Sequence, residues 1–308
     1  MKPTDFAYYL TKYLSKYLPG EVGASNNTIH SYRDTFSILI RYCNSEKNIT
    51  PEKLTIKHID KLLIQQFLTW IESERNCSAS TRNQRLSAIH AFFKYLQFEE
   101  PIGLHQYQEI LSIQMKKSIK MSVNYLTLDA IKILLSMPNK GTKKGRRDIV
   151  LLSLLYDTGC RVQEIADAKV SDLRIQHPST IKITGKGNKT RIVPIMDPMS
   201  KLIDQYIKEN RLNFNECTEY PLFTNRDGKK LTRSGITYIL NKYFNDAKAI
   251  SPECFPNAVS PHVMRHSKAM HLLQAGVNLI YIRDLLGHVS IQTTEIYAKA
   301  DSNAKRKA

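Results

Sequence analysis

Four short stretches of this 308-residue chain each set a cationic or proton-transferring side chain beside a break in secondary structure, and such side chains hold anions and move protons. In Thr158-Gly159-Cys160-Arg161-Val162-Gln163-Glu164-Ile165 the glycine ends one helix and the next opens with Arg161, with Glu164 one turn on along the same face. Gly185-Lys186-Gly187-Asn188-Lys189-Thr190-Arg191 reads as a hairpin turn that presents Lys186 at its mouth between two glycines. Pro261-His262-Val263-Met264-Arg265-His266 starts with a proline suited to a first helical turn and puts His262 and Arg265 on one face. The last stretch is Leu285-Leu286-Gly287-His288, followed by Thr293-Thr294-Glu295-Ile296-Tyr297. Singly, each has a plainer reading. An Arg and a Glu three apart usually form a surface ion pair, and a Gly-Lys-Gly turn is an ordinary basic turn.

Positioning such groups requires elements, and the apolar periodicity supplies them. Phe6, Tyr9, Leu10, Tyr13 and Tyr17 recur at helical spacing, as do Ile29, Tyr32, Phe36, Leu39, Ile40 and Cys43. A third helix is predicted over Ile59 to Arg75, and a fourth after Ser78 or Ser80 as N-cap, carrying Leu86, Ile89, Phe92, Phe93 and Leu96. The result is a bundle of four or five helices. After Pro101 the pattern weakens, and Lys116 to Asn124 reads as an exposed connection. Beyond it come a helix from Asp129 to Met137 capped by Thr127, a basic loop from Lys140 to Arg147, and a buried helix ending near Thr158. Ile181, Ile183, Ile192, Val193 and Ile195 flank the glycine turn as a β-hairpin. Helices resume at Pro198 to Asn210, Thr232 to Ala249, Pro261 to Ala275, Asn278 to Leu286 and Ser290 to Ala300. The fold class is mostly α with a small antiparallel β-sheet. The domains are expected at 1–115 and 126–308, joined by a linker at 116–125.

The net charge of +17 is unevenly spread: residues 1–114 carry +2 and residues 115–308 carry +15. A polyanion such as DNA is the simplest partner for that field, since neutralising phosphates releases counterions. The five cysteines are scattered and form no C-x-x-C pair, which argues against a disulfide framework or zinc ribbon. No stretch approaches the about 20 apolar residues of a membrane span, and Met1-Lys2-Pro3-Thr4-Asp5 lacks a secretion-signal layout. A cytoplasmic, nucleoid-associated protein with no membrane partner is therefore expected.

In their order and spacing the four stretches resemble the catalytic domain of the tyrosine recombinases, or phage integrase family, in its Xer-like and transposon-borne branch. The pattern is Arg, Lys on a β-turn, His-x-x-Arg, Leu-Gly-His, then Tyr. Ser80-Thr81-Arg82-Asn83-Gln84-Arg85-Leu86-Ser87-Ala88-Ile89 and Phe92-Phe93-Lys94-Tyr95-Leu96 look like that family's core-binding domain.

The resemblance implies roles. Arg161 and Arg265 would grip the non-bridging oxygens of a scissile phosphodiester, since a guanidinium fork stays charged as negative charge builds. Tyr297 would attack phosphorus to give a covalent 3′-phosphotyrosine. His262 is the expected proton acceptor, Lys186 the donor to the departing 5′-oxygen, and His288 a ligand of a phosphate oxygen or an orienter of the tyrosine. Glu164 would support the site from behind Arg161. No metal, ATP or other cofactor is implied. Arg82, Arg85, Lys94, Lys189 and Arg191 are candidate DNA contacts.

The partners implied are duplex DNA with specific recombination sites and further protomers, as a homotetramer, or a heterotetramer with a related recombinase, on two duplexes. The two domains would clamp the duplex. Only 11 residues follow Tyr297, where many relatives add a helix that docks on a neighbour. Here docking would fall to a short helix ending in Asn303 to Lys307 or to the tyrosine helix.

Competing readings are weaker. His262, His266 and His271 could suggest zinc, but Val-Met-Arg supplies no glutamate base between the first two. His266 is expected to pack or to support the site from behind, and His271 to lie on the surface. Tyr156 and Tyr281 are expected in the core. A type IB topoisomerase uses similar chemistry but relaxes single duplexes without exchanging strands between two, and the helical N-terminal domain, like a core-binding clamp, favours recombination. A catalytically idle DNA-binding protein on this fold would not retain Arg161, Lys186, Arg265 and Tyr297 together. Mobile-element integration and excision is the expected task, with chromosome or plasmid dimer resolution as the alternative.

Overall fold

Short polar side chains start most of the helices. Thr4, Ser25, Asp60, Ser78, Thr127, Thr142, Thr232 and Asn278 each accept a first-turn backbone N–H, filling one of the donors a helix start leaves open. The computed structural model describes residues 2–117, 123–212 and 219–307, without the side chains of Lys186 and 302–307. Ser118 to Ser122 of the expected connection lie outside the described residues. The chain divides into two units, Met1–Lys120 and Met121–Ala308.

The first unit is built from helices α1 (Asp5–Lys12), α2 (Asn26–Lys47), α3 (Lys61–Ser73), α4 (Ala79–Glu99) and α5 (Leu104–Leu111). Its core is aromatic. Phe92 of α4 sits with its ring centroid 5.9 Å from Phe6, 5.3 Å from Tyr13 and 5.1 Å from Phe36, all in edge-on contact, the arrangement the ring quadrupoles favour. Two local features differ from expectation. The single helix expected through Tyr17 changes at Tyr13 to a π-helical stretch running to Glu21 with Pro19 inside it, because a proline cannot donate the regular i−4 bond. The stretch after Pro101, where the sequence shows only a weakening apolar pattern, holds α5, which buries Tyr107 and Ile110 and makes the fifth helix.

The second unit contains α6 (Leu128–Ser136), α7 (Lys143–Thr158), α8 (Val162–Asp167), α9 (Asp197–Glu209), α10 (Arg233–Ile250), α11 (Pro261–Gln274), α12 (Leu279–Leu286) and α13 (Glu295–Lys307). Between α8 and α9 lies an antiparallel sheet in the order β1 (Leu173–Arg174), β2 (Thr180–Thr184), β3 (Thr190–Pro194). The expected hairpin is β2 and β3, with Ile181 opposite Val193 and Ile183 opposite Arg191. Strand alternation sends Ile181, Ile183 and Val193 inward and leaves Ile192 71% exposed. Arg191 has the same parity as Val193, so it too faces inward.

Three further expectations are corrected. Half of the basic loop is helix, since Thr142 caps α7 by accepting the Gly145 N–H. Tyr281 is 70% exposed instead of core. His271 is half-buried, sharing a 2.8 Å hydrogen bond between its Nδ1 and the Tyr156 hydroxyl. The main core of this unit gathers α6 to α10 and the sheet, and a smaller cluster of Ala269, Met270, Ile282, Leu286 and Tyr297 joins α11, α12 and α13.

Candidate active site

α7 ends at Gly159, whose φ of +58° is a left-handed cap that glycine adopts without strain. The chain then reverses and Arg161 becomes the N-cap of α8. The carboxylate of Glu164 accepts the Arg161 backbone N–H at 2.8 Å and its Nη1 at 2.9 Å. The same carboxylate accepts Arg191 Nη1 at 3.0 Å and Nη2 at 2.8 Å. Burial alone would raise the Glu164 pKa, but the paired arginines and the backbone N–H hold it below its ordinary value. Arg191 also donates Nε to the Leu285 carbonyl at 2.9 Å. One buried carboxylate thus joins α8, β3 and the end of α12.

Arg265 lies one turn into α11 and is 3% exposed. Its Nη1 donates to the Gly159 carbonyl and its Nη2 to the Leu286 carbonyl, both at 2.7 Å. These oxygens close α7 and α12, where carbonyls without helical partners carry partial negative charge. Both partners are neutral, so the guanidinium charge is not cancelled. Burial, then the charge of Arg161, pushes its pKa down to about 10, and it remains a cation at neutral pH. A buried cation placed near a second one is a site prepared for an anion.

His288 follows the left-handed Gly287 cap of α12, and its Nδ1 is 2.9 Å from the buried Thr294 hydroxyl. Tyr297 enters the first turn of α13 and is 1% exposed, its ring nearly parallel to that of His288. The Tyr297 hydroxyl meets Nδ1 of His266 at 2.9 Å. Burial raises the pKa of the phenol, while Arg265 and Arg161 oppose the rise. Both guanidinium charges therefore act on that hydroxyl. Burial and neighbouring positive charge push His266 and His288 down to about 4, so both rings are neutral at pH 7.

Arg161, Glu164, Arg265, His288 and Tyr297 thus converge. His262 lies exposed at the start of α11, its ring centroid 6.4 Å from that of His266. It is His266, expected to pack or to support the site from behind, that meets the phenol. The signal for it was present in the sequence, because His262 and His266 stand one turn apart on one face, but periodicity does not say which of them faces α13. Lys186 occupies the turn between β2 and β3, and its side chain lies outside the described residues. A Cβ added at the adjacent Gly185 would stand 2.9 Å from Glu164 Oε1, so the turn itself borders the site.

Of the five candidate DNA contacts, Lys94 and Lys189 are exposed. Arg191 is bound inside the protein as described. Arg82 is buried and donates to Asn83 and the Gln114 carbonyl, and Arg85 donates to the Ser31 carbonyl and Thr35. These two arginines fasten parts of the helical unit to each other.

The chain is similar to known proteins along most of its length. The phage integrase family model matches residues 124–304, and that of the phage integrase N-terminal SAM-like domain matches residues 10–100. The integrase/recombinase y4rC of Sinorhizobium fredii is 36% identical over 307 residues, covering 100% of this chain and 91% of that protein. The tyrosine recombinase XerD of Listeria innocua is 31% identical over 279 residues, 90% of this chain and 89% of its own length. Among solved structures, the Tn1549 transposon integrase in complex with transposon right end DNA has a TM-score of 0.71 at 17% identity, covering 96% of this chain and 98% of that one.

Proposed function

This chain belongs to the phage integrase family of tyrosine recombinases, and we propose that it cleaves and rejoins duplex DNA at specific sites with Tyr297 as nucleophile. The observation that carries the residue assignment is the convergence on Arg265, whose fork holds the Gly159 and Leu286 carbonyls next to Arg161 and His288, with the Tyr297 ring stacked 6.5 Å from that of His288. A phosphodiester between Arg161 and Arg265 would have its non-bridging oxygens neutralised by donors already in place, so that growing negative charge in the transition state meets no reorganisation cost. Nδ1 of His288 shares a hydrogen bond with the Thr294 hydroxyl, and with that hydroxyl donating, Nε2–H would bond a phosphate oxygen. Lys186 protonates the departing 5′-oxygen. The phosphotyrosine bond conserves the energy of the phosphodiester, so rejoining uses no ATP.

The test is covalent trapping. Incubated with a nicked suicide duplex, the protein forms an adduct that migrates slowly on a denaturing gel, and Tyr297→Phe forms none. An adduct of undiminished yield in that variant would place the nucleophile elsewhere.

Integration and excision of a mobile element is the task we favour, in keeping with the integrase y4rC; the 31% identity to XerD supports dimer resolution as the second reading. Mapping trapped adducts on genomic DNA separates the two. Adducts at the ends of an element support the first, and adducts at one chromosomal site support the second. Among the described residues no helix is long and apolar enough to cross a membrane. We place the protein in the cytoplasm on the nucleoid, assembling as a tetramer on two duplexes.

A further inference from the structure

Two histidines of the sequence pattern, His262 and His288, carry expected roles in the reaction, and His266 only an expected role in packing or support. Its contact is the more telling one. We propose that His266 is a catalytic residue, the group that takes the proton of the Tyr297 hydroxyl as the phenol attacks phosphorus. The inference rests on Tyr297 being the nucleophile.

Geometry is the first argument. Nδ1 of His266 stands 2.9 Å from the phenolic oxygen, within the range a proton acceptor needs. His262 is exposed, its ring centroid 6.4 Å from that of His266, and it is His266 that engages the phenol. The second argument is the protonation state. The groups facing His266 are Tyr297 and His288 from the α12–α13 side, and His262 and Arg265 on α11. None is an anion that would hold the imidazole charged, so the ring is neutral, and with its proton on Nε2 the Nδ1 lone pair accepts from the phenol. The third argument is rigidity. His266 follows Arg265 directly on α11, so one helix fixes both the phosphate clamp and the acceptor.

In the cleavage step the phenolic oxygen bonds to phosphorus, the bond to the 5′-oxygen breaks, the phenolic proton passes to Nδ1, and Lys186 supplies a proton to the 5′-oxygen. As the new bond forms, the phenolic oxygen loses electron density and its proton becomes acidic, so an imidazole of low basicity accepts it. In rejoining, the proton returns to the phenolic oxygen as the 5′-hydroxyl restores the phosphodiester.

The experiment compares single-turnover adduct formation by the full chain on a nicked suicide duplex and on the same duplex with sulfur at the bridging 5′ position. A thiolate leaves without protonation, so sulfur relieves the loss of an acid and not the loss of a base. His266→Gln keeps an acceptor oxygen but cannot take up the proton, and its adduct rate should fall about 100-fold or more, with DNA affinity retained and no rescue by sulfur. Lys186→Ala should be rescued. A His266→Gln rate within about threefold of the parent, a faster rate, or rescue by sulfur overturns the proposal. Failure of Tyr297→Phe to abolish the adduct would instead overturn the functional reading beneath it. Should His266→Gln not fold, nitrogen NMR of the parent and Tyr297→Phe decides: the Nδ1 resonance of His266 must shift between them, and an unchanged resonance overturns the proposal.

Discussion

Arg265 shows how little of a buried side chain's behaviour resides in its own identity. Its fork is held by the Gly159 and Leu286 carbonyls, and a lysine could satisfy at most one of them while turning toward a phosphate. Arg265→Lys should lower the rate of adduct formation by about 100-fold or more with DNA affinity nearly unchanged, as gel trapping alongside an equilibrium binding titration will show. The neutral histidines give a second prediction. His266 and His288 titrate near 4 in the fold against an ordinary value of 6.5. Between those values the unfolded chain binds protons the folded chain refuses, so stability is complete above pH 6.5 and is lost as pH falls toward 4. His288→Asn should flatten the fall of Tm between pH 7 and pH 4.5, and parallel curves would contradict the assignment. At this scale the sequence singled out Arg161, Arg265 and Tyr297 only through their resemblance to the family pattern, not by spacing alone. It misplaced Arg191, since its positive charge was weighed and its parity with Val193 was not.

Among the elements, the Glu164 carboxylate is the common point of α8, β3 and α12. Removing Arg191 leaves that buried carboxylate with only Arg161, and losing one member of a buried ionic network costs about 3 kcal/mol. Arg191→Met should therefore lower Tm by roughly 6–10 °C and slow adduct formation, because Glu164 also orients Arg161. A melting shift of under about 2 °C would mean the network contributes little. The helices and the hairpin were legible from apolar spacing and from the glycine turn. α5 and the first turn of α7 were not, because the short α5 buries only two residues and the start of α7 is rich in lysine and arginine. Local polarity there is outweighed by packing that no single segment reveals.

For the whole molecule, the charge is concentrated in residues 115–308, which carry +15 of the +17. DNA affinity should fall steeply as salt rises, and Lys189→Gln, removing an exposed charge beside the Lys186 turn, should reduce the slope of log K against log salt by about 0.9. A slope unchanged by this substitution would remove Lys189 from the phosphate contacts. The two-part organisation was readable from the shift in composition near Lys116, whereas the anchoring of Arg82 and Arg85 inside the first unit was not, since a basic residue on a helix reads the same in water and in a crevice.

Both anchors of the Arg265 fork are main-chain oxygens, and every residue that might stand at 159 or 286 carries one. No substitution there can delete an anchor; it can only move it. Inherited variation at these two positions is therefore filtered by displacement and not by chemistry, so a variant that binds DNA normally yet reacts slowly would point to a carbonyl shifted by a fraction of an ångström, with every catalytic side chain still present.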